Sequence, residues 1–241
     1  MPAKTAAKIH AAIKRHLEVF NDLRDTQVQL PVVLGLRRRF PAAQPFGDWL
    51  RRRLRRFGRS ARKSLRKVRA RRVTRYIEDA TAAARAYPKQ GVGARGAALL
   101  LRSVSGAFDR VVRWQARIDP AIPETIHRTR VAFKKFRYMA EAIEDYRPSR
   151  NEEVIEAMHR YQNSMGAVQD ADVLCRGFER FLNKGLVEPA SGHELANELS
   201  RRRQQLIDAY LRKAAALLEF WPSPNQRRPN PRRAGTRRWR A

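Results

Sequence analysis

Acid is what this chain has least of. Its 241 residues include 23 Asp and Glu against 52 Lys and Arg, a formal charge of +29. A surface so short of carboxylates cannot neutralise itself. That says little about fold and much about partners. Polyanions would bind it by releasing counterions, with strong salt dependence. Cysteine is nearly missing too: Cys175 is the only one, which excludes an internal disulfide and any thiolate-rich metal site. No window approaches the roughly 20 apolar residues of a membrane-spanning helix. The opening MPAKTAAKIHAAIKRH holds no apolar run long enough for a signal peptide. A soluble, cytoplasmic protein is expected.

Several chemistries are absent as well. There is no GxxxxGK[ST] loop and no GxGxxG, hence no phosphate cradle of the nucleotide-binding kind. The histidines His10, His16, His127, His159 and His193 lack HExxH or any tight ligand spacing, so no metal site is expected. No cofactor signature is present. No nucleophile has a credible base partner, and the expectation is a protein that is not an enzyme. Asp170 and Asp172 resemble a carboxylate pair, but helix capping accounts for Asp170 more simply.

What is present is helical periodicity. Ile9, Ile13, Leu17 and Phe20 recur at helical spacing, as do Leu50, Leu54, Phe57, Ala61, Leu65 and Val68. Later seams run through Leu99, Val104, Phe108 and Val111, through Val154, Met158, Tyr161 and Met165, and through Leu195, Leu199, Leu206, Tyr210 and Leu217. No segment alternates with period two for long. The fold is read as all-α. Breaks are expected at Phe40–Pro45, Pro88–Gly96, Asp119–Pro123, Arg147–Ser149 and Glu188–Gly192. The Pro- and Arg-rich tail from Trp221 onward has no apolar face, and residues 221–241 are expected to be disordered.

The most informative segment is Ile126–Tyr138, IHRTRVAFKKFRY. At about 100° per residue, His127, Arg130, Lys134 and Arg137 share one face, and Ala132, Phe133, Phe136, Met139 and Ile143 take the other. One stripe is built for burial. The other aims cations at a densely charged anion, with only Glu141 one turn beyond to oppose them. Arginine suits phosphate because its planar fork matches the oxygens. For His127, contact with a ligand is favoured over acid–base catalysis. A second basic block, Arg51 to Arg72, surrounds a narrow apolar seam with Arg52, Arg55, Arg56, Arg59, Arg62, Lys63, Arg66 and Lys67. Like charges three and four residues apart repel, so this helix is stabilised when an anion joins it. A third row comprises Arg201, Arg202 and Arg203 with Arg212 and Lys213.

The chain also reads as an internal repeat. FNDLRDTQV at Phe20–Val28 matches MGAVQDADV at Met165–Val173, an offset of 145 positions between Asp25 and Asp170. At that offset Ile9 meets Val154, Leu50 meets Leu195 and Leu65 meets Tyr210. Gly166 or Asn21 is expected to end one helix in the left-handed conformation, and Asp170 or Asp25 to cap the next. The first-repeat partner of His127 falls at position −18 (127 minus 145), so either the true start lies upstream or this member has lost the first copy of the cationic helix, and such a loss should leave part of the first bundle uncovered. The halves are read as residues 1–95 and 96–220.

IHRTRVAFKKFRY followed by YQNSMGAVQDADVL resembles the CHAD domain, the conserved-histidine α-helical domain. That family's pattern is H-x-x-R-x-x-x-K/R-K/R-x-R-Y, then L-G-x-x-x-D-x-x-V. His127, Arg130, Lys134, Lys135, Arg137 and Tyr138 occupy the first pattern; Gly166, Asp170 and Val173 occupy the second. The resemblance implies two helical bundles related by a pseudo-twofold, a basic groove between them that binds inorganic polyphosphate, and no catalysis by the domain itself. It places the protein in the cytoplasm at polyphosphate granules. The contacts it implies are His127, Arg130, Lys134, Lys135 and Arg137, with Arg55, Arg59, Arg62, Arg66 and Arg203 added from the other basic rows. Pro31 departs from the pattern and predicts a kink or an early helix end. Two rivals remain at this point. A nucleic-acid module explains the charge equally well but should interleave aromatics with the cations. A phosphate-transferring enzyme would need clustered carboxylates facing the basic row.

Overall fold

A computed structural model describes residues 7, 11, 14, 17, 20–66, 70–85, 94–143 and 152–221. The elements are α1 (Asn21–Leu36), α2 (Ala43–Arg66), α3 (Ala70–Arg85), α4 (Ala94–Gln115), α5 (Pro123–Ala142), α6 (Glu152–Leu182) and α7 (Pro189–Leu211), followed by a 3₁₀ turn at Ala214–Glu219. Ala7, Ala11, Lys14 and Leu17 are also helical, and no strand occurs among the described residues. The protein is all-α, as its periodicity indicates. Ile9, Ile13, Lys67, Val68, the Arg147–Ser149 break, two of the histidines (His10 and His16) and the tail beyond Trp221 lie outside the described residues.

Two compact units form. Among the described residues, one draws on those up to Arg85 and on Gln169–Gln205; the other on those of Ala94–Val168 and on Leu206–Trp221. Each has its own apolar core. In the first, Phe46 of α2 meets Phe178 edge-on with ring centroids 4.9 Å apart and Phe181 at 5.2 Å. Val33, Leu36, Leu50, Leu195 and Leu199 close around them. In the second, Phe133 and Phe136 of α5 pack with Phe108 of α4, Tyr161 of α6 and Phe220. The Trp221 indole lies edge-on to Phe136 and donates to Ser105 Oγ at 3.0 Å. The Tyr161 and Tyr210 hydroxyls sit 3.3 Å apart, and burial drives the pKa of Tyr161 up.

The expected corner at Gly166 does not form. Helix α6 is continuous from Glu152 to Leu182 and carries both Gly166 and Asp170 in its interior. The reason lies in the stripe beneath: Met158, Tyr161, Met165, Val168, Asp172 and Cys175 are all buried at steps of three and four residues. A stripe that never loses register gives the helix no cause to stop. The left-handed turn comes later, at Gly185 with φ 63°. Asp25 likewise lies inside α1 and not at a cap. Pro31 does not end α1 early; the helix runs on to Leu36. Pro31 and Gln27, whose carbonyl loses its partner, are both exposed residues, so water can fill the gap. The seam of α2 also fades towards its end. Leu50 is buried, whereas Leu65 is 52% exposed.

Candidate anion-binding site

Helix α2 carries a single row of arginines. Arg52, Arg55, Arg59, Arg62 and Arg66 follow one another at steps of three and four residues, which keeps them within roughly 80° of arc. All five are exposed. Among the described residues the ion pair on this helix is Arg51 with Asp48 at 2.7 Å; the charge of Arg52 also acts on Asp48, whereas Arg55, Arg59, Arg62 and Arg66 have no carboxylate partner. The aromatics of the same helix are already covered. Arg53 lies over Trp49 at 4.6 Å and Phe57 at 4.8 Å, and Arg56 over Phe57 at 5.2 Å. Burial, with Arg180 nearby, lowers the pKa of the Arg53 guanidinium.

Helix α5 distributes its cations differently. Its buried stripe is Ile126, Thr129, Phe133, Phe136, Arg137 and Ala140. Arg137 thus falls inside the packed face. Its Nη1 donates to Glu141 Oε1 at 2.5 Å, its Nε to Gln162 Oε1 at 3.0 Å, and His159 lies within 3.1 Å. Arg130 is half-buried on the same flank against α6. A Cβ at Gly166 would stand 3.5 Å from Arg130 Nε, so Gly166 is a surface that Arg130 rests on. Arg130 Nε and His127 Nδ1 are both buried without a hydrogen-bond partner. Such unpaired groups cost about 1–3 kcal/mol each. Lys134 is exposed, its ammonium 5.6 Å from the Tyr138 ring. His127 and Lys135 face the other flank, where α4 and α5 enclose a trough of about 710 Å³ with Arg102, Arg110 and Arg128.

The third basic row is largely self-neutralised. Arg203 Nη1 reaches Asp172 Oδ1 at 3.2 Å, with Arg176 on the other oxygen at 3.0 Å. Glu198 accepts from Arg202 at 2.6 Å and Arg201 at 2.8 Å, and these bonds hold its carboxyl below the usual range. Among the described residues no group of His, Cys, Asp or Glu is arranged to hold a metal ion, and no helix is long and apolar enough to cross a membrane.

A model of the CHAD domain matches residues 1–179. This chain belongs to the CHAD domain family. CHAD domains are associated with polyphosphate-related proteins. The matched span holds α1 to α5 and nearly all of α6, so both the arginine row of α2 and the histidine helix α5 lie within it. No curated protein and no solved structure matches the chain.

In this CHAD domain the ten residues singled out from the sequence fall into three groups. Arg55, Arg59, Arg62 and Arg66 form one exposed row. His127, Arg130, Lys134 and Lys135 lie on α5 but on two flanks of it. Arg137 and Arg203 are already engaged by carboxylates. Sequence reasoning missed Arg102 and Arg110, which reach α5 only through the packing of α4. The Glu141 that holds Arg137 was visible four residues downstream, at the spacing where an ion pair closes.

Proposed function

We propose that this CHAD domain binds inorganic polyphosphate and does not turn it over. The observation that carries the reading is the unopposed row Arg55, Arg59, Arg62 and Arg66. Four forks spaced about one helical turn apart suit a linear anion whose charges recur along its whole length. The repulsion stored in that row is relieved when such an anion binds. On α5, Arg130 adds a buried nitrogen that lacks a partner and Lys134 adds exposed charge, whereas His127 and Lys135 face the trough beside α4 and are not phosphate contacts in this reading. Arg137 supports α5 from beneath, and Arg203 stays with Asp172; neither is a phosphate contact in this reading.

Nucleic acid is the poorer partner. Binding without sequence preference relies on aromatic faces that stack with bases. Here Trp49, Phe57, Trp114 and Tyr138 each carry a cation of this same chain over the ring. The test is competition at equal phosphate concentration. Long-chain polyphosphate should displace single-stranded RNA from the protein, and displacement in the opposite sense overturns the assignment. Phosphate release measured with added magnesium or manganese tests the second half of the claim; steady release would make the protein an enzyme. The same reading puts the protein in the cytoplasm where polyphosphate accumulates, which imaging of the tagged chain beside a polyphosphate stain checks.

A further inference from the structure

The trough between α4 and α5 differs in kind from the arginine row. Its floor is apolar, made of Gly106, Ala107, Val131, Ala132 and Met139. Arg102 and Arg110 stand on the α4 side, Arg128 and Lys135 on the α5 side. Arg128 is shared with Glu124 at 3.5 Å, while Arg102, Arg110 and Lys135 have no carboxylate partner among the described residues. From Arg102 to Trp114 the trough extends roughly 18 Å at about 1.5 Å per residue. A Cβ at Gly106 meets no heavy atom within 4 Å, so the space above it is open. Val131 is 54% exposed, and Leu99, one turn before Ser103, is 58% exposed.

We propose that this trough docks an acidic amphipathic helix of a partner protein. Bare polyphosphate gains nothing from an apolar floor, whereas three turns of helix would cover it. Two helices side by side present the groove into which the side-chain ridge of a third fits. Apolar anchors one turn apart would lie over Gly106, Ala107 and Ala132, and carboxylates on both flanks would meet Arg102, Arg110 and Lys135. A second copy of this chain is a poor occupant, because each copy carries +29 and like rims repel. The proposal rests on the α4–α5 pair alone and not on the polyphosphate reading.

Fluorescence anisotropy tests it with two synthetic peptides. One has leucines at helical spacing and glutamates on both flanks. The other is an isomer of the same composition with the apolar stripe broken up. The full chain should bind the first roughly tenfold more tightly. Gly106→Phe, which projects into open space, should abolish that preference and leave polyphosphate affinity unchanged. Arg102→Glu with Arg110→Glu, both on exposed residues, should weaken the first peptide as well. Equal affinity for the two peptides overturns the proposal, as does a preference that survives Gly106→Phe. Loss of polyphosphate binding in Gly106→Phe would make the trough a phosphate site and also overturn it. So would Gly106-dependent binding of phosphatidylglycerol vesicles when the peptides bind alike, since that makes the trough a lipid contact.

Discussion

Helix α2 carries nine cations and one acid, Asp48; helix α5 carries five cations and two acids, Glu124 and Glu141. The difference in free charge is larger than those counts suggest. On α2 the exposed cations Arg55, Arg59, Arg62 and Arg66 have no carboxylate partner, and only Arg52, at the start of the row, shares the field of Asp48 with Arg51. On α5, Arg137 is buried on Glu141, Arg128 is shared with Glu124, and Arg130 is folded back against α6. A cation on a helical wheel is therefore not yet a cation available to a ligand. Availability depends on whether an acid stands four residues away and whether a neighbouring helix covers the side chain.

The contrast can be broken from either side. The largest effect is expected on α5. Arg137→Met removes the buried guanidinium shared by Glu141 and Gln162, leaving the half-buried Glu141 with only His159 beside it. It should lower the unfolding free energy by about 2–3 kcal/mol, read from a urea midpoint. An unchanged midpoint would mean that Arg137 is free, and the two helices would then be alike. On α2 the opposite sign is expected. Replacing Arg55, Arg59, Arg62 and Arg66 by Gln removes repulsion at three- and four-residue spacing and should raise Tm by about 2–4 °C in a thermal melt without ligand. A lower Tm would mean that these arginines hold the fold together.

A smaller effect concerns the corner between α6 and α7. Gly185→Val forces a branched side chain to φ 63° and should cost roughly 1–2 kcal/mol in the same urea assay. The same change at Gly166, inside a helix and with only ordinary contacts to Arg130, should cost less. The smallest effect involves Asp25. Burial, with Asp170 and Asp22 close by, raises its carboxyl pKa above 3.8, against the opposing pull of Arg24 and Arg176. A raised value means that the group favours the folded state when protonated. That contribution is complete below the unfolded-state value and is lost as the pH climbs through the folded one. Asp25→Asn should therefore raise Tm at neutral pH by about 1–2 °C and change nothing once the carboxyl is protonated. A uniform shift at all pH values would remove the electrostatic explanation.

Much of this was legible before any coordinates. The all-α class followed from seams at Leu50, at Val104 and Phe108, and at Met158 and Met165, all of which are buried in the two cores. The family followed from His127 to Tyr138. Helix ends were harder, because Gly166 and Asp170 look like a stop and a cap when read alone. Only the buried stripe running past them, from Met158 to Cys175, shows that the helix continues. The two flanks of α5 were not legible at all. A wheel assigns His127, Arg130, Lys134 and Arg137 to one face within about a third of a turn, and the packing of α4 and α6 on either side then divides that face. Long side chains magnify the division, since a small rotation about the axis decides whether a guanidinium meets water or Glu141.

The central claim is that unopposed cations, and not total charge, bind polyphosphate. Calorimetric titration of long-chain polyphosphate into the variant with Arg55, Arg59, Arg62 and Arg66 changed to Gln tests it most directly, beside a control in which four exposed but carboxylate-paired cations are changed to Gln (Arg128, Arg160, Arg176 and Arg201). The account predicts that the α2 variant loses affinity by more than about tenfold and that its salt slope falls by roughly three, whereas the control changes far less. Equal losses in the two proteins would contradict it and leave net charge as the only determinant.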